Sequence, residues 1–466
     1  MKIASALLLA AACATAAAQC PHNSYAIKNA TVITVSGSRL TGASVVMCNG
    51  VITAVGADAA IPADAEVLDA TGLTVYPGFV DGFSQYGLPE ERAAGRGARP
   101  DGAEVAAAQA REIAATLDGI PVNDPRRYLD PQPEGVESDR RTAELLDPPA
   151  TLHAVRDSGV LASLVAPADG IFKGEAALVN LVGPDAPAML IQPRAGQVIE
   201  LRPAGGGGDG YPASVMGAVA VYRQTLLDAQ RLQTEIGIYQ KAGEKGLPPP
   251  HYDPKTSALI PLLEHQQAAY FVASDWDAIL RALKLADEFH LTTPTIIGAT
   301  EADKAIPQLQ AAHAAVLVSL SFAPAAAAGG GFGRGGASPE EQARQRQAAE
   351  AVPAALAKAG VTFGFATYGM TARQQVVEQV KAAMRRGLSE ADAWKALTLW
   401  PAQIVGAGNQ LGSIEAGKIA NLVVASGDPL TGDSSNQWIV ADGRLLPVHP
   451  AERPARGGDR AAGGTQ

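Results

Sequence analysis

The chain has 466 residues, 47% of them hydrophobic and 18% charged, with a formal net charge of −10. That apolar share supports a packed core and excludes a disordered chain, and the acidic balance excludes a nucleic-acid partner held by phosphate attraction. At about 150 residues per domain the length allows roughly three domains, or one barrel of about 250 to over 400 residues with a smaller companion.

Met1-Lys2, an apolar run over 3–12 and Ala16-Ala17-Ala18 before Gln19 form a basic start, a hydrophobic stretch and a small-residue cleavage site. Residues 1–18 are therefore read as a signal peptide, and the product as exported, periplasmic or extracellular. The Ala10-Ala11-Ala12 before Cys13 lacks the larger aliphatic residue of a lipoprotein box. No later run approaches about 18 uninterrupted apolar residues, so no membrane span is expected. Cleavage would leave Cys20 and Cys48 at the ends of a predicted hairpin. In an oxidising compartment they read as a disulfide or as two unpaired thiols, and neither has metal-site spacing.

Short β-rich runs at 25–35, 43–47 and 51–55, broken by Ser-Gly and Asn49-Gly50 turns, predict a small sheet. Thr74 to Asp81 is an apolar run of the kind a buried strand requires. From 151 to 406, predicted strands at 160–165, 177–182, 269–273, 292–297, 315–320 and 361–366 alternate with helical stretches such as 275–289 and 371–386. That alternation predicts parallel β/α units closing into a barrel. The helix over 215–234 packs on the barrel or forms a subunit contact. Residues 419–425 and 438–440 return to short strands that complete the first sheet. The glycine-rich stretches 205–210 and 324–336 are loops, and 452–466 is read as a disordered tail.

Several segments together resemble the amidohydrolase superfamily, in particular its imidazolonepropionase-like and dihydroorotase-like branches. They are Ile27-Lys28-Asn29-Ala30, Asn49 to Gly56, Tyr76-Pro77-Gly78-Phe79-Val80-Asp81, Thr398-Leu399-Trp400-Pro401-Ala402, Gly412 to Val424 and Gly427-Asp428-Pro429-Leu430. The resemblance covers most of the mature chain. It implies an α/β fold, a (β/α)8 TIM-like barrel over 77–407, with a discontinuous β-sandwich built from 24–74 and 410–446. It also implies zinc or another divalent metal and hydrolysis of C–N bonds.

The positions that carry the family's chemistry depart from its pattern. Where relatives place His-x-His after the first-strand aspartate, this chain has Phe83-Ser84-Gln85. Phenylalanine offers no lone pair, and a neutral glutamine amide holds zinc poorly. Ala269 to Asp275 brings no histidine, Gly298-Ala299 stands for His-Gly, and Ala366-Thr367-Tyr368 for Gly-Thr-Asp. A phenol with a reference pKa of about 10 is no base at neutral pH. Asn180 occupies the place of the lysine that some relatives carboxylate.

Other chemistries lack support. His22, His153, His251, His265, His290, His313 and His449 form neither His-x-His nor His-Glu-x-x-His, and His290 suits a helix C-terminus. No Gly-x-Ser-x-Gly elbow occurs, and Gly331-Phe332-Gly333-Arg334-Gly335-Gly336 matches a dinucleotide motif only formally. Arg96 and Arg99, shortly after the first barrel strand, contact an anionic ligand or carry solvated charge.

The resulting expectation is a catalytically degenerate, exported amidohydrolase-family protein with no metal and no catalytic residue. Its former active-site mouth, Phe83, Gln85, Gly298 and Tyr368, would bind a small molecule, or the chain would partner a catalytically intact relative, with oligomerisation open. The alternative is a metal-dependent hydrolase of amide or other C–N bonds using unrecognised ligands.

Overall fold

The computed structural model describes residues 24–89, 135–148, 152–183, 185–203, 212–243, 246–322, 338–441 and 443–448. Residues 1–18, Cys20, Arg96, Arg99, 205–210, 324–336 and 452–466, and with them the signal peptide, glycine-rich loops and tail expected there, lie outside these residues. Cys48 is disulfide-bonded.

Both chain ends build one eight-stranded sheet. Its N-terminal part is β1 (Ser24–Val32), β2 (Leu40–Cys48), β3 (Val51–Gly56), β4 (Glu66–Asp69) and β5 (Thr74–Pro77). Asn49 and Gly50, at φ 49° and 81°, make the two-residue turn from β2 to β3, a backbone hand that matches strand twist. The barrel strands are β6 (Phe79–Ser84), β7 (Val160–Val165), β8 (Phe172–Asn180), β9 (Leu190–Glu200), β10 (Ala268–Ala273), β11 (Thr295–Gly298), β12 (Ala315–Ser319) and β13 (Phe363–Ala366). The chain then returns with β14 (Leu422–Ala425), β15 (Asn436–Ala441) and β16 (Arg444–Pro447), giving a sheet ordered β16-β15-β14-β5-β1-β2-β3, with β4 beside β1. Alternate residues such as Val32, Val45, Val75, Leu422 and Val440 fill its apolar interior.

The second sheet runs β6 to β13 in chain order. Its ends meet at Gly82, where an added Cβ would lie 2.5 Å from Leu317 Cδ2 and 2.9 Å from the Phe365 carbonyl, so closure needs glycine there. Most neighbours are parallel, but β8 is antiparallel to both β7 and β9, which corrects the expectation of uniformly parallel units. The connection 166–171 is too short for a helical crossover and can only reverse the chain. The strand expected at 177–182 accordingly starts at Phe172. β9, a continuous strand whose sequence pattern Pro193 and Gly196 break, was not anticipated, and the strand expected at 292–297 is displaced to Thr295–Gly298 because Thr293 adopts φ 45° before Pro294. Val80, Leu164, Leu178, Val198, Ile297 and Leu317 fill the barrel, every one nearly or fully buried.

Outside lie α1 (Val215–Lys241), α2 (Ile260–Leu263), α3 (Trp276–Glu288), α4 (Ile306–Ala311), α5 (Pro339–Ala359), α6 (Val376–Arg385), α7 (Glu390–Leu397) and α8 (Leu399–Ile404). Ser214 caps α1 by accepting from Gly217 N, and Tyr222 of that helix stacks on Phe172 of β8 at 5.6 Å. Asp275 caps α3 by accepting from Ala278 N at 2.8 Å. The two sheets are joined at Gly78 N, which donates to the Asn421 carbonyl at 2.8 Å, and by packed Tyr76, Phe79 and Trp394.

Candidate ligand site at the barrel mouth

In a barrel of this kind the C-terminal strand ends carry the chemistry. On β6, Asp81 is only 4% exposed, and its carboxylate accepts from Phe83 N at 3.2 Å, Thr367 N at 2.8 Å and the Thr367 hydroxyl at 2.5 Å. The Thr367 hydroxyl also lies 3.0 Å from the Tyr86 hydroxyl. Asp81 thus ties the first barrel strand to the residue following the last.

Phe83 is buried, and its ring packs against Tyr368 with centroids 5.5 Å apart. Burial, with a further contribution from the Glu200 charge, pushes the Tyr368 phenol up to about 12, so it remains a neutral hydroxyl at neutral pH. Gln85 follows β6, half-buried. Gly298 ends β11 at φ 97°, and a Cβ there would meet Ser274 Oγ at 2.6 Å. Position 298 therefore cannot carry an imidazole while Ser274 stays in place.

Two charged residues that the sequence reading passed over reach the same end of the barrel. Glu200, on the same side of β9 as inward-facing Val198, lies 2.8 Å from Lys173 Nζ and 3.3 Å from Arg202 Nε. Lys173 is 2% exposed on β8 and also donates to the Ala168 carbonyl. Burial pulls its ammonium below the ordinary lysine range, while Glu200 acts in the opposite sense. Their signal in the sequence was two charges inside otherwise apolar strand runs.

Residues 290–445 match the model of the amidohydrolase family. An amidohydrolase from Thermotoga maritima MSB8 superposes with a TM-score of 0.73 at 23% identity, covering 91% of this chain and all of that one. A prolidase complexed with N-methylphosphonate-L-proline follows at 0.54 and 18%, and an Xaa-Pro dipeptidase with bound methionine at 0.53 and 17%, each covering 91% of this chain and all of its own. Residues 290–445 thus resemble the amidohydrolase family, and the chain shares the fold of these structures. No curated protein matches it in sequence.

Against the amidohydrolase pattern, the mouth brings Phe83 and Tyr368 into contact, with Asp81 tied to the residue before Tyr368. Among the described residues no group of three or more His, Cys, Asp or Glu side chains could hold a metal ion. Asp81 is committed to three donors, Phe83 has no donor atom, and Gly298 has no side chain. The described donor set does not fit the family's divalent metal. Asn180, read as standing for the bridging lysine, pairs across from Ala162 and lies 3.4 Å from Asn421 of the composite sheet. The reversal of β8 puts it at the barrel floor.

Three of the seven histidines lie at helix ends. His265, His290 and His313 have φ 58°, 56° and 49° and follow α2, α3 and α4. Each donates its N–H to the carbonyl three residues back, while the next residue's N–H reaches five back, as Leu291 does to Ala286 at 2.8 Å. These are Schellman ends with histidine in the left-handed position. They precede β10, β11 and β12, which puts them at the opposite end of the barrel from the mouth. A cavity of about 70 Å³ lies in the composite sheet, lined by Ile27, Met47, Leu68 and Val440 among others, and is too small for a typical ligand of about 300 Å³ or more.

Proposed function

We propose that this protein is an exported member of the amidohydrolase superfamily without the family's metal centre, acting as a ligand-binding or partner subunit. The observation that carries the reading is the commitment of Asp81 to Thr367 and Phe83, with the Phe83 and Tyr368 rings packed together beside it. Family hydrolysis needs a cation that lowers the pKa of water from about 15.7 toward about 7, and a base to take its proton. Phe83, Gln85, Gly298 and Tyr368 supply neither. On this reading these positions, with their aromatic, amide and hydroxyl groups, are the place where a small ligand would bind, and an intact amidohydrolase relative is the macromolecular partner.

Elemental analysis tests it: the purified mature chain is incubated with zinc or manganese, then dialysed. Metal far below one per chain is expected, and near-stoichiometric metal that resists dialysis would overturn the proposal in favour of C–N bond hydrolysis through other ligands. Because two fold relatives are a prolidase and an Xaa-Pro dipeptidase, Xaa-Pro dipeptides are the first ligands to try. A saturable rise in melting temperature without turnover supports binding, whereas cleavage contradicts it.

A further inference from the structure

We propose that the outer face of α1 is a two-fold interface between two copies of this chain. The helix is 27 residues long, about 40 Å, and its inner face is fixed on the barrel by Tyr222, Leu226 and Leu232, with Arg223 bonded to Glu288 of α3 at 2.8 Å. Its outer face carries three of the large apolar side chains that the fold leaves exposed: Met216 at 73%, Leu227 at 52% and Ile238 at 55%. Ala220 and Thr234 are exposed beside them, and the Thr234 hydroxyl is turned back onto the Gln230 carbonyl at 2.9 Å.

At about 100° per residue these five positions fall within an arc of about 40°. Their spacing along the chain, 216, 220, 227, 234 and 238, reads the same in both directions about Leu227. A second copy of the helix laid antiparallel across a two-fold axis at Leu227 therefore places Leu227 on its own counterpart. Met216 then meets Ile238, and Ala220 meets Thr234. This is the self-complementarity an isologous contact requires, and the small Ala220 and Thr234 let the backbones approach. The charged groups on the flank of the face are satisfied within the helix: Arg231 lies 2.8 Å from Glu235, and Gln224 donates to Asp228 at 3.0 Å. No uncompensated charge on the stripe selects a partner of opposite sign.

A strip about 40 Å long and about 10 Å wide buries on the order of 800 Å² over two copies, below the range of about 1,200 to 2,000 Å² for standard interfaces. The dimer is accordingly weak and concentration-dependent. It forms whether or not the barrel mouth binds a ligand.

Sedimentation velocity on the mature chain from 1 to 100 µM should show a monomer giving way to a dimer. Leu227→Asp should hold the chain monomeric throughout this range, with the melting temperature of dilute protein unchanged because the side chain is exposed. Under mild oxidation Leu227→Cys should form a disulfide-linked dimer, Met216→Cys alone should not, and Met216→Cys with Ile238→Cys should. A monomer at every concentration, a dimer that survives Leu227→Asp, or cross-linking by Met216→Cys alone would each overturn the proposal.

Discussion

Replacing Asp81 tests whether this residue anchors the barrel or serves chemistry. Alanine removes the acceptor for two buried backbone N–H groups, Phe83 at 3.2 Å and Thr367 at 2.8 Å, and for the Thr367 hydroxyl. Bonds to a charged acceptor contribute about 1.5–3 kcal/mol each, and the hydroxyl can turn toward Tyr86, so the two stranded amides set a loss of about 3–6 kcal/mol. Asparagine keeps an oxygen facing both amides and gives up only the charge, costing about 1–2 kcal/mol. Unfolding entropy of about 2.1 cal/mol/K per residue over roughly 330 barrel residues converts 4 kcal/mol into about 6 °C. Differential scanning calorimetry at one fixed scan rate should therefore show Asp81→Ala melting several degrees below wild type and Asp81→Asn close to it. Equal losses in the two variants, or no loss in alanine, would refute the anchoring argument.

Glu200→Leu leaves the buried Lys173 ammonium without its carboxylate and should cost about 3–5 kcal/mol in urea denaturation, while Lys173→Met combined with Glu200→Leu should recover most of it. Glycine in place of His265, His290 and His313 removes the cost of a left-handed side-chain-bearing residue, so each change should add about 0.5–1 kcal/mol; a fall in melting temperature would contradict the helix-end assignment. The Tyr368 phenol titrates near 12 in the folded chain and near about 10 when unfolded, so the unfolded state releases the proton first. Its contribution to stability is complete below about pH 10 and declines as pH rises toward 12; melting curves across this window should fall less steeply in Tyr368→Phe than in wild type.

The composite sheet was legible because its signals are local: Asn49-Gly50 demands a tight hairpin, and the β-rich runs 43–47 and 51–55 flank it. Strand direction is not local. Periodicity reads the same up or down a strand, so β8 was taken as parallel and Asn180 was assigned to the wrong end of the barrel. At the mouth, Phe83, Gly298 and Tyr368 could be named from the motifs around them. The Asp81–Thr367 bond joins residues 286 apart and leaves no trace in either neighbourhood. Lys173 and Glu200 are bonded through the fold alone, and neither charge identifies the other. The helix-end role read for His290 extends to His265 and His313, each of which sits between a helix and the next strand.

The composite sheet also constrains how the chain is made. β5 takes β1 as one neighbour from its own end of the sequence, but the other is β14, and Tyr76 bonds Asn436 across 360 residues. As the polypeptide emerges, the outer side of β5 presents unpaired N–H and C=O groups until almost the whole barrel has followed. The first strands to be synthesised are thus among the last to be completed, and for that interval an open sheet edge is available to pair with another molecule.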